Sequence, residues 1–122
     1  MARCRLSVIM PNYNDSAYLP DSIGAILSQT RTPDEVVVVD DGSTDGSVAL
    51  LEDLARRHPR LRVLRNDRNR GVVFTTNRAL TEAQGEYVCM ASANDRLRPG
   101  HFEASMELLE RHPDAGLSFS DY

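Results

Sequence analysis

Apolar and polar residues alternate along the chain in blocks, and the blocks switch between two spacings. Runs of adjacent apolar residues occur at Leu6 to Met10, Val36 to Val39, Leu61 to Leu64 and Tyr87 to Ala91. Such runs suit short strands covered on both faces. Between the first two, Leu19, Ile23, Ile26 and Leu27 recur at helical spacing, predicting a helix that starts near Pro20, since proline suits a first helical turn. Val48, Leu51, Leu54 and Ala55 predict a second helix stopping at His58-Pro59. Val72, Thr76, Ala79, Leu80 and Ala83 predict a third, ending before Gly85. A fourth is expected from about Pro99, with Phe102, Met106 and Leu109 inward, to His112-Pro113. Leu117 to Phe119 reads as the start of a fifth strand.

Strands separated by single helices specify a parallel sheet between helical layers, in the order β-α-β-α-β-α-β-α-β. The 122 residues are enough for one compact domain with a core, and no low-complexity linker divides them. In an open parallel sheet, ligands bind outside the carboxyl ends of the strands. Four loops qualify: Pro11 to Asp15, Asp40 to Asp45, Asn66 to Gly71, and Ser92 to Asp95. They are also the loops richest in polar residues.

Charge narrows the partners. The net charge is −4, which argues against a nucleic-acid binder, because phosphate neutralisation calls for a basic patch. All 14 basic residues are arginine, so any chemistry that needs an ε-amine is excluded. No apolar run approaches the about 20 residues of a membrane-spanning helix, and no secretory signal is visible, so a cytoplasmic protein is expected. Cys4 and Cys89 fit free thiols in or beside strands. His58, His101 and His112 show no ligand spacing and read as surface residues.

The loops carry distinct chemistry. The first has no glycine, so it lacks the phosphate fingerprint of a dinucleotide-binding domain. It offers Pro11-Asn12-Tyr13-Asn14, in which Tyr13 either presents a flat face to a nucleobase or caps the sheet edge. After the second strand, one of Asp40, Ser43 and Asp45 is expected to cap the following helix, and Asp41 is expected to make a ligand contact. Among Arg62, Arg65, Arg68 and Arg70, the last is best placed to meet a diphosphate. The fourth loop offers Ser92, Asn94 and Asp95 to a divalent cation, with one formal charge where two are usual.

Three segments, Ser7 to Asn14, Ile26 to Thr30 and Val37 to Ser47, resemble the opening of family 2 glycosyltransferases. The order continues with Asn69-Arg70-Gly71, Thr76 to Ala79 and Gly85 to Val88. The resemblance, from about Ser7 to Pro99, implies a Rossmann-like three-layer fold of the GT-A type. It also implies a nucleoside-diphosphate sugar donor, most often of uridine or thymidine, with inverting transfer and the diphosphate held on Mg or Mn. By position, Pro11 and Tyr13 would line the base pocket, Asp41 would bind the base, Asn14 would join the nucleotide-sugar-binding residues, and Asn69, Arg70 and Gly71 would close over the nucleotide.

Two departures follow. The family's Asp-x-Asp stretch falls on Ser92-Ala93-Asn94, so Asp95 is expected to act as metal ligand beside Asn94. The acceptor-binding part, with the general base that deprotonates the acceptor hydroxyl, is expected beyond Tyr122, Asp121 being a poor candidate. Residues 1–122 are therefore expected to be the nucleotide-sugar-binding part, truncated and inactive alone, acting on an unknown glycan or lipid-linked acceptor. A non-catalytic nucleotide-binding module of the same fold is the alternative. A receiver-like signalling domain lacks its lysine here, and a nucleotidyltransferase lacks its glycine- and arginine-rich phosphate loop.

Overall fold

The structure is a computed structural model that describes residues 5–120; Cys4 and Asp121 lie outside them. Four strands and four helices alternate: β1 Leu6–Asn12, α1 Leu19–Leu27, β2 Glu35–Asp40, α2 Ser47–Arg57, β3 Leu61–Arg65, α3 Val72–Glu82, β4 Tyr87–Met90 and α4 His101–Arg111. The strands form one parallel sheet in the order β3-β2-β1-β4. β1 and β2 are central and almost wholly buried, as their unbroken apolar runs require.

Side chains alternate across the sheet and build two cores. Leu6, Val8, Met10, Val36 and Val38 face one side, where they meet Ile23 and Ile26 of α1, Leu51 of α2, and Phe102 and Met106 of α4. Ile9, Val37 and Val39 face the other side, where Ala79 of α3 covers them. The three-layer arrangement expected from the sequence is present, with three helices on one face and one on the other.

Two expectations are corrected. Leu117 to Phe119 do not form a fifth strand; Leu117 is 78% and Phe119 83% exposed. Three residues offer only one or two ladder bonds, too few to offset a backbone ordering cost of about 1–2 kcal/mol per residue. The inward stripe of α3 is also different: Thr75 and Ala79 are buried, while Val72 and Leu80 of the expected stripe are exposed. Polar anchoring sets this rotation. The Thr75 hydroxyl donates to the Gly71 carbonyl at 2.8 Å and accepts from Asn66 Nδ2 at 2.9 Å, which turns Thr75 toward the sheet.

Candidate functional site

The chain steps from β1 to β2 to β3, then crosses back to place β4 on the far side of β1. Sheet order therefore reverses between β1 and β4, the position at which open α/β sheets bind ligands. Sequence opens the gap there. Ala91 N–H donates to the Ile9 carbonyl at 2.8 Å, and the next bond in that parallel register would be donated by residue 11. Residue 11 is proline and has no N–H, so β4 parts from β1. The resulting cleft, of about 290 Å³, is lined by Pro11, Tyr13 and Asp15 of the first loop, by Asp41, Asn69 and Gly71, and by Ser92 and Asn94 after β4. Tyr13 is 46% exposed and free to present its ring to a ligand.

The two acids after β2 divide their work. Asp40 braces its own loop: Oδ1 accepts from Asn12 Nδ2 at 2.9 Å and from the Ser43 hydroxyl at 2.6 Å, while Oδ2 accepts from Ser43 N–H at 2.9 Å. The N-cap position of α2 is Gly46, which has no side chain to cap with; Asp45, one residue before it, accepts from the first helical amide, Ser47 N–H, through Oδ1 at 2.9 Å. Asp41 reaches the other way and holds the Asn69-Arg70-Gly71 turn. Its Oδ1 accepts from Arg70 N–H at 2.6 Å and Asn66 Nδ2 at 2.9 Å, and its Oδ2 from Gly71 N–H at 3.0 Å. Burial opposes the charge on Asp41, yet these donors more than offset it and hold the carboxyl below its ordinary 3.8. Oδ1 accepts two of these bonds and Oδ2 one, so Oδ2 retains the greater acceptor capacity.

Gly42 makes that clamp possible. It adopts φ +73°, and a Cβ there would lie 2.6 Å from Arg68 C and Asn69 N. Only glycine lets the two loops approach so closely.

After β4, the Ser92 hydroxyl donates to Asn94 Oδ1 at 2.6 Å, and Asp95 N–H closes a turn on the Ser92 carbonyl at 3.1 Å. Asp95 is not among the residues that line the cleft. It lines a second, larger hollow of about 490 Å³, which begins at Ser92 and includes Arg96, Arg98 and His101.

The chain matches the model of glycosyl transferase family 2 over residues 7–120. The chain belongs to this family. Glycosyltransferase GlyG of Streptococcus pneumoniae is 30% identical over 96% of the chain and 38% of its own length. S. aureus TarS, solved in complex with UDP-GlcNAc, superposes with a TM-score of 0.81 and 30% identity over 89% of the chain and 32% of TarS. The mannosyltransferase PcManGT of Pyrobaculum calidifontis, solved with GDP-Man and Mn2+, gives 0.76 and 32% over 85% of the chain and 31% of its own. The chain spans less than half the length of the curated relatives it matches. Enzymes of this GT-A architecture commonly use a divalent metal.

This family 2 chain brings together Pro11, Tyr13, Asp41, Asn69, Gly71 and Asn94, as the sequence led one to expect. Three expected residues stand elsewhere. Asn14 sits behind the cleft, where its Oδ1 accepts from Thr44 N–H at 2.8 Å and fastens the first loop to the second. Arg70 contributes its backbone; its guanidinium pairs with Asp67 at 3.0 Å and lies over the Phe74 ring at 5.1 Å. Asp95 and Asn94, expected in one metal site, line two adjoining hollows. The lining also includes Asn12, Asp15 and Thr75, none of which the sequence singled out as binding residues, and Ser92, which the sequence offered to a cation and not to the nucleotide. For Asn12 and Ser92 the signal was present, since both sit at or just past strand ends; Thr75 lies inside a helix and gave none.

The donor set at the Ser92–Asn94 turn does not fit a divalent cation. Mg and Mn favour carboxylate oxygens. The turn offers one amide oxygen already accepting from Ser92, and the neighbouring Asp95 lines the other hollow. Asp41 is committed to three N–H donors. Among the described residues no three His, Cys, Asp or Glu side chains converge on one point.

Proposed function

We propose that the cleft binds a nucleoside-diphosphate sugar, of uridine or thymidine, and that the protein transfers the sugar to an acceptor hydroxyl with inversion. The observation that carries this reading is the shared cleft at the β1/β4 switch point, where Tyr13, Asp41 and the Asn69–Gly71 turn stand together. The base lies against Tyr13, and its ring N–H donates to Asp41 Oδ2, the carboxylate oxygen with the fewer bonds. Exposed backbone at Asn69 and Gly71 borders the ribose. The chain then runs toward Ser92 and Asn94, where the diphosphate enters. UDP-GlcNAc in TarS supports a uridine donor by likeness of fold and sequence.

In the transfer, the acceptor oxygen forms a bond to the anomeric carbon as the carbon–oxygen bond to the diphosphate breaks. The diphosphate leaves with the bonding electrons, and the hydroxyl proton goes to a general base. The cleft's carboxylates are Asp15 and Asp41, and the donors around Asp41 hold its carboxyl below its ordinary value, which makes it a poor proton acceptor. We assign the base to a segment outside these 122 residues, in keeping with the greater length of the relatives. The isolated chain then binds donor and transfers nothing. A cytoplasmic setting belongs to the same proposal, supported by the free thiol of Cys89. Among the described residues no helix is long and apolar enough to cross a membrane.

Calorimetry with uridine tests the base site. Tyr13→Ala is expected to lower uridine affinity by about tenfold, the scale of one lost stacking contact. Unchanged affinity in that variant removes Tyr13 from the site, and absence of uridine binding by the parent chain ends the reading.

A further inference from the structure

The cleft is too small for the whole ligand assigned to it. Ligand pockets run from about 300 to 1,000 Å³, and the cleft stands at the lower limit with about 290 Å³. That volume is of the scale of a nucleoside, and the hollow adjoining at Ser92 offers room for the diphosphate and sugar. What lies there is the hollow of about 490 Å³, and Ser92 is the residue common to both linings. Its charged and titratable members are Arg96, Arg98, His101 and Asp95, with Cys89 at one wall. Two guanidinium groups thus stand against one carboxylate, in a chain whose net charge is −4.

The loop bearing these arginines is held in place. Gln29, at the end of α1, donates from Nε2 to the Arg98 carbonyl at 2.8 Å, and its Oε1 accepts from Phe102 N–H at 3.2 Å. Gln29 is buried, so the loop is fixed to α1 through an interaction that water does not compete for. Both arginine side chains are exposed, and no ion pair engages either among the described residues. They are available to a ligand. An arginine fork meets phosphate oxygens with charge-assisted hydrogen bonds.

We infer that the donor's diphosphate is neutralised by Arg96 and Arg98, with His101 beside them, and not by a divalent cation at the Ser92–Asn94 turn. The inference rests on the nucleotide-sugar reading of the adjoining cleft. It turns the replacement of the two family acids from a defect into an exchange: the turn has lost the carboxylates that would hold a metal, and the loop that follows supplies fixed positive charge. Fixed charge needs no ion to be recruited, and it stabilises the departing diphosphate in the same sense as a cation would.

Calorimetric titration of the chain with uridine and with uridine diphosphate, each in EDTA and in Mn²⁺, separates the possibilities. Uridine diphosphate is expected to bind about tenfold or more tightly than uridine, with the same affinity in EDTA and in Mn²⁺. The double variant R96A/R98A is expected to bring the diphosphate down to the affinity of uridine while uridine binding is unchanged. R96K/R98K restores part of the difference, because charge returns without the fork. A Mn²⁺-dependent gain of about tenfold, or a double variant that binds the diphosphate as the parent does, overturns the inference. Either result leaves the base site standing if uridine still binds and Tyr13→Ala still weakens it; loss of uridine binding in the parent ends both readings.

Discussion

Asp41 shows how one side chain decides the shape of the site. Its carboxylate replaces the missing hydrogen-bond partners of a turn that has no strand or helix to pair with, and so fixes Asn69 and Gly71 in the cleft lining. Asp41→Asn presents an amide to those N–H donors and leaves one without an acceptor. The expected cost is about 1–3 kcal/mol, seen as a lower urea midpoint with unchanged slope and as faster amide exchange at Arg70 and Gly71. Acid should act through the same groups. Hydrogen bonds from Ser47 and Ser16 outweigh desolvation and hold Asp45 down to about 2, and Asp41 is also held below 3.8. A carboxyl depressed in the folded state adds stability above its unfolded value, and that share disappears as pH falls through the folded value. Urea unfolding at several pH values should therefore show stability declining from about pH 4 toward pH 2. The decline should be shallower in Asp45→Asn, and an equal slope in the two proteins would remove Asp45 from the account.

Elements meet at points where a side chain cannot fit. Gly42 is one, and Gly85 another: a Cβ on Gly85 would lie 2.6 Å from Ser7 Oγ and 2.7 Å from Ser7 N, where the turn before β4 docks on β1. Gly42→Ala combines that crowding with a left-handed backbone and should destabilise by more than about 1 kcal/mol. It should also weaken uridine binding by displacing the Arg68–Asn69 backbone, which calorimetry can read. Strands and helices were legible in the sequence because periodicity records burial, and β2 could be read directly from Val36 to Val39. The site was legible as loops, since the strand-end rule and polar composition both mark them. What escaped was orientation. α3 is turned by hydrogen bonds from Thr75 and Asn66, which a count of apolar positions cannot register. Asp95 was misplaced for a similar reason: one residue of turn, closed on the Ser92 carbonyl, places it in the lining of the second hollow.

The whole molecule is lopsided, and its stability should follow that asymmetry. On the face with three helices, Phe102 is fully buried among Leu6, Met106 and their neighbours. On the other face α3 packs over β1 and β2, and on β4 Val88 is 38% and Met90 67% exposed. Pairing in the sheet makes the contrast sharp, since Cys89 and Met90 are adjacent residues of one strand that face opposite layers. Removing a buried aromatic ring loses both its transfer free energy and the contacts around the cavity left behind. Phe102→Ala should therefore cost about 3–5 kcal/mol, enough to consume much of the stability of a domain this size. Met90→Ala deletes a side chain that water already surrounds, and should change stability by less than about 0.5 kcal/mol. Thermal and urea unfolding of the two variants would measure the difference. A large loss from Met90→Ala would mean that the α3 face of β4 is covered in solution, and the layer arrangement would have to be redrawn there.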